Sequence, residues 1–443
     1  MKDKLFFTTK ENEYYYNDID GNIYNINEEC EEFILEECQQ DNLEDVLYKS
    51  GYNQLTLVVT QECNLRCTYC IYSGNYSNFR VHENCYMEKE VALKAVDYYM
   101  SLVQKICKTR PLFSPTISFY GGEPLLNFKL IKDVVNYVKS TYEINVIFNM
   151  TTNLLLLTDE ILEFIIKNNI DISVSLNGDK DNNDRMRVTR QGKGTFDGVY
   201  KNLRKIMLWN EEFYENNVKI IVTYDKKTDM IKLNDFIEND PLIKGKVAIA
   251  LPVKETFWDN NPMEESLSYT ESIEYLEKDF QQKAYAKQYE KISNLQRLIF
   301  ADSLHAFLDR TRNNNLKSII PYTSMCVPGT KIAVDTDGTF HCCEKVNTKK
   351  PFGTEKTGID YIQVSKYLDE IREFGEEHCK ECKISRMCNL CFADMISDEG
   401  TLILPEDSYC SKLEEAVVRQ LTLYCSLIEN GVDIRKLTLG EKK

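Results

Sequence analysis

The chain runs to 443 residues, 43% of them hydrophobic and 11% aromatic, with 27 Tyr and 20 Phe. At roughly 150 residues per domain this is material for about three domains with sizeable cores, which excludes intrinsic disorder and coiled coil. Lys plus Arg number 54 against 70 Asp plus Glu, a formal net charge of −16; a surface this acidic repels a phosphate backbone, so no nucleic-acid partner is expected.

The start, Met1-Lys2-Asp3-Lys4-Leu5-Phe6-Phe7, lacks the apolar run of a secretion signal, and no stretch is long and uncharged enough to span a bilayer. A cytoplasmic protein with no membrane partner is expected. In a reducing cytosol, 16 Cys set against four His read as metal ligands before disulfides. Soft thiolates favour zinc or iron–sulfur clusters.

Residues 1–50 form the first expected unit. Tyr14–Asn17 and Ile23–Ile26 flank Asp20-Gly21-Asn22, a hairpin turn signal, and Glu28–Gln39 carries Cys30, Phe33, Ile34 and Cys38 at helical spacing. This predicts a hairpin-plus-helix, winged-helix-like module. Over 51–262, β-rich runs at 55–60, 116–120, 145–150, 171–176, 218–224 and 246–253 alternate with helical patterns at Glu88–Cys107, Lys129–Tyr142, Asp159–Asn168 and Phe196–Tyr214. Strands alternating with amphipathic helices predict an α/β fold, a partial (β/α)6 barrel with functional residues on the loops after the strands. A helical bridge over 263–320 and a cysteine-rich region over 321–443 complete the expected order.

Directly after the first barrel strand stands Cys63-Asn64-Leu65-Arg66-Cys67-Thr68-Tyr69-Cys70. Three thiolates spaced CxxxCxxC can hold three irons of a [4Fe–4S] cube and leave the fourth open for a ligand; the alternative is a zinc site with a distant fourth ligand. After the second strand, Gly121-Gly122-Glu123-Pro124 combines close backbone approach with a carboxylate suited to an ammonium group.

This arrangement resembles the radical S-adenosylmethionine (SAM) superfamily. The resemblance implies that Cys63, Cys67 and Cys70 hold a cluster whose open iron chelates SAM, that Tyr69 lies near the adenine, and that Gly121, Gly122 and Glu123 bind the amino group. Thr152-Asn153 resembles the family's TN pair, and Ser175-Leu176-Asn177-Gly178 its SLDG segment with Asn replacing Asp. In Asp184-Arg185-Met186-Arg187, Arg187 is preferred over Arg185 for the SAM carboxylate, a role that suits a guanidinium fork.

The second cysteine set is Cys326, Cys342-Cys343, Cys379, Cys382, Cys388, Cys391 and Cys410. Two CxxC pairs alone could make a zinc ribbon, with His378 or His341 assisting. After a radical SAM domain the order resembles the SPASM extension, which implies two auxiliary [4Fe–4S] clusters. Cys379, Cys382, Cys388 and Cys410 would hold the outer one, and Cys326, Cys343 and Cys391 the inner one. Cys342 is then a spare or the ligand in place of Cys343, and the last CxxC departs from the family's CxxxC. Cys30, Cys38, Cys85, Cys107 and Cys425 lack ligand spacing and read as small buried hydrophobes.

A radical SAM core with this extension resembles peptide maturases, and the N-terminal module resembles their peptide-recognition element, which binds a leader peptide as an added strand. The implied activity is a thioether crosslink from a Cys sulfur to another residue of a ribosomal precursor peptide, using SAM, three clusters and an electron donor such as flavodoxin or ferredoxin. Alternatives are carbon–carbon or carbon–oxygen crosslinking, formylglycine formation as in anaerobic sulfatase maturases, or an iron–sulfur or zinc scaffold without turnover. No residue is singled out as a catalytic acid or base.

Overall fold

Runs rich in Val, Ile and Thr that are apolar on both faces make buried parallel strands, and the amphipathic segments between them make the covering helices. The computed structural model describes residues 4–28, 42–76, 79–253, 266–308, 310, 312, 319–320, 322, 326–404 and 408–437. The helix expected over Glu28–Gln39, with Cys30 and Cys38, lies outside them.

The N-terminal strands β1 (Lys4–Thr8), β2 (Glu13–Asn17) and β3 (Asn22–Asn25) form an antiparallel sheet in the order β1-β2-β3. The sequence predicts only the last two. Leu5 and Phe7 are buried, but the intervening Phe6 is 50% exposed. An apolar residue on the outer face hid the period-two alternation that marks a strand.

Six parallel strands follow: β4 (Gln54–Thr60), β5 (Thr116–Gly121), β6 (Ile147–Thr152), β7 (Asp171–Ser175), β8 (Val218–Tyr224) and β9 (Val247–Pro252). They lie side by side in chain order, each within two residues of its predicted span. Helical crossovers connect them, among them α1 (Lys89–Thr109), α2 (Phe128–Thr141), α3 (Asp159–Asn168), α4 (Lys180–Met186) and α5 (Phe196–Trp209). Leu55, Leu57, Ile117 and Phe119 are fully buried at the sheet's centre, each such burial stabilising by about 1.5–3 kcal/mol.

The sheet does not stop at β4. Strand β10 (Lys331–Val334) pairs with it in parallel, and β11 (Thr339–His341), β12 (Gly353–Thr354) and β13 (Gly358–Ile359) extend the sheet antiparallel. The sheet therefore has ten strands, with β13 and β9 at its edges, and it runs across the boundary expected at 320/321. This covers the β4 edge, which would otherwise expose unpaired backbone groups. Cys379 caps the helix Tyr361–His378, Cys410 lies in the first turn of the helix Tyr409–Glu429, and Cys382, Cys388 and Cys391 lie between the two. Among the described residues no helix is long and apolar enough to cross a membrane.

Candidate active site

Strand β4 delivers the first cysteine loop to the carboxyl end of the sheet. Backbone bonds from Arg66 N to Val188 O (2.8 Å) and Thr68 N to Met186 O (2.9 Å) clamp the loop to the segment after α4. These two bonds straddle Arg187. Cys63 is buried, and Leu65 N donates to its sulfur at 3.4 Å.

Burial pushes the Cys63 thiol up to about 12, with Glu123, Cys67 and Cys70 adding to the effect. Burial likewise pushes Cys70 up to about 11, with Cys67 raising it further and Arg187 opposing. Thiols so placed hold their protons at neutral pH until a cationic centre displaces them.

Arg187 is 6% exposed. Burial works against its charge, but the facing Cys67 and Tyr69 hold its pKa above the ordinary value. Its Nη1 donates to the Tyr69 hydroxyl at 2.5 Å, while its Nε is buried without a hydrogen-bond partner. Arg185 is committed elsewhere, with both arms on Asp225 at 2.6 and 2.7 Å.

The glycines lie against the same loop. A Cβ on Gly121 (φ +155°) would lie 2.1 Å from Thr60 O, and one on Gly122 would lie 2.1 Å from Glu62 O; only glycine permits this approach. Glu123 is 1% exposed. Its carboxylate accepts from Thr152 Oγ1 (2.6 Å), Asn153 N (2.7 Å) and Leu125 N (3.1 Å). Burial raises its pKa, and these donors oppose the shift.

Asn153 donates onward to Asn64 Oδ1 at 2.8 Å, joining the pair after β6 to the cysteine loop. The following Leu154 has φ +61°, a costly conformation for a non-glycine residue that marks a tightly specified site. Ser175 is the last residue of β7 and is half-buried. Asn177 accepts from Thr223 N at 3.0 Å and so ties β7 to β8.

The later cysteines fall into two groups. Burial raises Cys379 to about 12, and the charges it feels are those of Cys388, Cys382 and Cys410. Cys342 is held up by a hydrogen bond with Cys343 and by burial, and feels Cys391 and Cys326. The adjacent pair lies near Cys391 and Cys326, with Cys342 buried and Cys343 half-buried. Cys425 is buried, but Cys85 and Cys107 are only partly so. Cys107 packs against the core, whereas Cys85 sits 3.8 Å from the Glu83 carboxylate, away from an apolar environment. Among the described residues no three such side chains lie close enough together to grip one ion.

Between the barrel loop and the inner cysteines lies a polar network absent from the motif reading. Arg80 pairs with Asp335 at 2.5 Å and donates to Glu344 O (2.6 Å) and to the Tyr72 hydroxyl (3.2 Å). Gln61 donates to Asp335 at 2.9 Å. Glu344 Oε2 is buried without a hydrogen-bond partner, with Lys331 Nζ 3.7 Å away. Its signal in sequence was adjacency to Cys343 at a strand end.

The cysteine loop, the glycine pair and Arg187 all lie at the carboxyl end of the parallel strands. Residues 57–207 match the model of the Radical SAM superfamily, so this part of the chain is a radical SAM domain. The Cysteine-type anaerobic sulfatase-maturating enzyme of Clostridium novyi is 26% identical over 182 residues, 40% of this chain and 46% of that enzyme. The chain spans less than half the length of the first curated relatives it matches.

Two solved structures share the fold. That of anSMEcpe with bound AdoMet and Cp18Cys peptide superposes with TM-score 0.59 at 18% identity, covering 84% of this chain and 99% of that one. Streptococcus suis SuiB bound to precursor peptide SuiA gives TM-score 0.50 at 16% identity, covering 92% and 98%.

The residues present fit the groups such a domain implies. Three thiols on one loop that feel one another's charge suit the spread ligands of a cluster, the glycines bring the β5 end against the backbone of that loop, and the unsatisfied Arg187 Nε awaits an acceptor such as a carboxylate.

Proposed function

We propose that the chain is a radical SAM peptide maturase that joins a Cys sulfur to another residue of a ribosomal precursor peptide as an intramolecular thioether. The observation that carries the SAM site is Arg187, whose buried, unsatisfied Nε stands beside the three-cysteine loop. Cys63, Cys67 and Cys70 would hold the cluster, and Arg187 the SAM carboxylate. Tyr69, Gly121, Gly122, Thr152, Asn153 and Ser175 would line the rest. Glu123 organises Thr152 and Asn153, and its Oε2 accepts a single bond from protein, which leaves it room for the amino group.

When bound and reduced by one electron, from a flavodoxin- or ferredoxin-like donor, SAM supplies a 5′-deoxyadenosyl radical that takes a hydrogen atom from carbon. Thioether formation then requires loss of the thiol proton and of one electron. Glu344 is the group we assign to the proton, because its buried Oε2 accepts no hydrogen bond and is paired only with the Lys331 ammonium 3.7 Å away. Cys326, Cys342 and Cys391 would hold an inner auxiliary cluster beside it, and Cys379, Cys382, Cys388 and Cys410 an outer one, each able to accept electrons.

The peptide assignment draws on the N-terminal sheet, whose edge strands could accept a leader as an added strand, and on the shared fold with SuiB. A second reading, formylglycine formation from a peptide Cys, is favoured by the sequence likeness to the Clostridium novyi enzyme. Both place the chain in the cytoplasm, with its precursor. Anaerobic turnover with SAM, reductant and a Cys-rich peptide carrying its leader separates the two. A thioether keeps the sulfur and loses two hydrogens, whereas formylglycine formation removes the sulfur.

A further inference from the structure

The N-terminal sheet is tied to the C-terminal part of the chain at two points, one of them the outer cysteine loop. At one end, Thr9, Asn12 and Tyr14 all donate to Glu429 Oε1, at 2.8, 2.7 and 2.8 Å. Glu429 ends the helix Tyr409–Glu429, whose first turn carries Cys410. At the other end, the turn between β2 and β3 inserts Asp18 into the loop joining Cys382 to Cys388.

Asp18 is 7% exposed. Its Oδ2 accepts from the Ser385 hydroxyl, and its Oδ1 from Arg386 N and the Tyr16 hydroxyl, each at 3.1 Å. Burial raises its pKa while the hydrogen bonds from Ser385, Arg386 and Tyr16 hold it down, and in its ionised form its charge acts on both Cys382 and Cys388. Burying a carboxylate is costly, and three donors converging from two elements hold it in one place. The link joins residues 367 apart in sequence, so it ties the sheet to the cysteine loop and not to its own neighbourhood.

We infer that Asp18 is a positioning residue for the outer cysteine group, fixing the 383–387 loop and setting the reduction potential of the cluster held there. The inference rests on the reading above that Cys379, Cys382, Cys388 and Cys410 hold a cluster. A negative charge in a low-dielectric setting opposes addition of an electron nearby, and hydrogen bonding and charge around a cluster set its potential.

The test is a potentiometric titration of the full chain, loaded with iron and sulfide without oxygen and followed by electron paramagnetic resonance. Cys410→Ala first identifies the outer signal, with loss of about four irons; if iron is unchanged, the cluster reading falls and this inference with it. Asp18→Asn is expected to keep wild-type iron and to move the outer couple alone to more positive potential. An unmoved outer couple with iron intact overturns the inference. Should Asp18→Asn shed the outer iron instead, Asp18→Glu decides. Recovery of iron and of the wild-type potential supports the role of the carboxylate; failure to recover overturns it.

Discussion

Arg187 donates a hydrogen bond to the Tyr69 hydroxyl, joining the segment after α4 to the loop that carries the three barrel cysteines. The bond uses one arm of the guanidinium and leaves Nε buried without a hydrogen-bond partner. An arginine desolvated this far is expensive unless a ligand completes its partners.

Arg187→Ala is therefore expected to weaken SAM binding by about 10- to 100-fold, the worth of one charge-assisted hydrogen-bonded contact. Calorimetry on the iron-loaded protein measures this. Arg187→Lys should recover only part of the loss, since an ammonium lacks the planar fork.

Glu344→Gln separates radical generation from peptide modification. Cleavage of SAM should persist, while peptide product falls by about 10²- to 10⁴-fold, the usual contribution of a positioned acid or base. Parallel assays of 5′-deoxyadenosine and of modified peptide check it. Equal loss of both would remove Glu344 from the proton step.

Cys342 and Cys343 should behave differently. Because Cys342 is buried and Cys343 only half-buried, Cys342→Ala is expected to lower bound iron from about twelve to about eight, and Cys343→Ala to leave about twelve. Iron and sulfide analysis of the two variants decides between them.

Asp225 supplies a pH prediction. Burial alone would raise its pKa, but the hydrogen bonds and charge of Arg185 hold it below the usual carboxylate range. A carboxyl whose folded value is depressed adds stability above its unfolded pKa, and that stability is lost as pH falls through the folded value. Asp225→Asn should cost about 1–3 kcal/mol at pH 7, and the gap from wild type should close below about pH 4. Urea midpoints between pH 7 and pH 3 record it.

Strands β4 and β5 were legible as apolar runs buried on both faces, and β6 to β8 as runs in which alternate residues are buried, each set between amphipathic helices such as α1. The cysteine loop was legible because its ligands lie within eight residues of one another. The rest depends on contacts that local sequence does not encode. Arg80 meets Asp335 across 255 residues and Asp18 meets Ser385 across 367, and neither pair has a spacing signature. Glu123 was recognised as a site residue, but its part in holding Thr152 and Asn153 emerges only where β5 and β6 end side by side. Strand β10 went unassigned because its four residues are too short to show a period; pairing with β4 makes it a strand.

The central claim is that Cys63, Cys67 and Cys70 hold a cluster that splits SAM. Its most direct test is 5′-deoxyadenosine production by the anaerobic, iron-loaded chain with SAM and a strong reductant. The wild type is expected to yield 5′-deoxyadenosine and Cys67→Ala none; no nucleoside from fully loaded wild type, or equal yields from both, would rule out a SAM-splitting cluster at these cysteines.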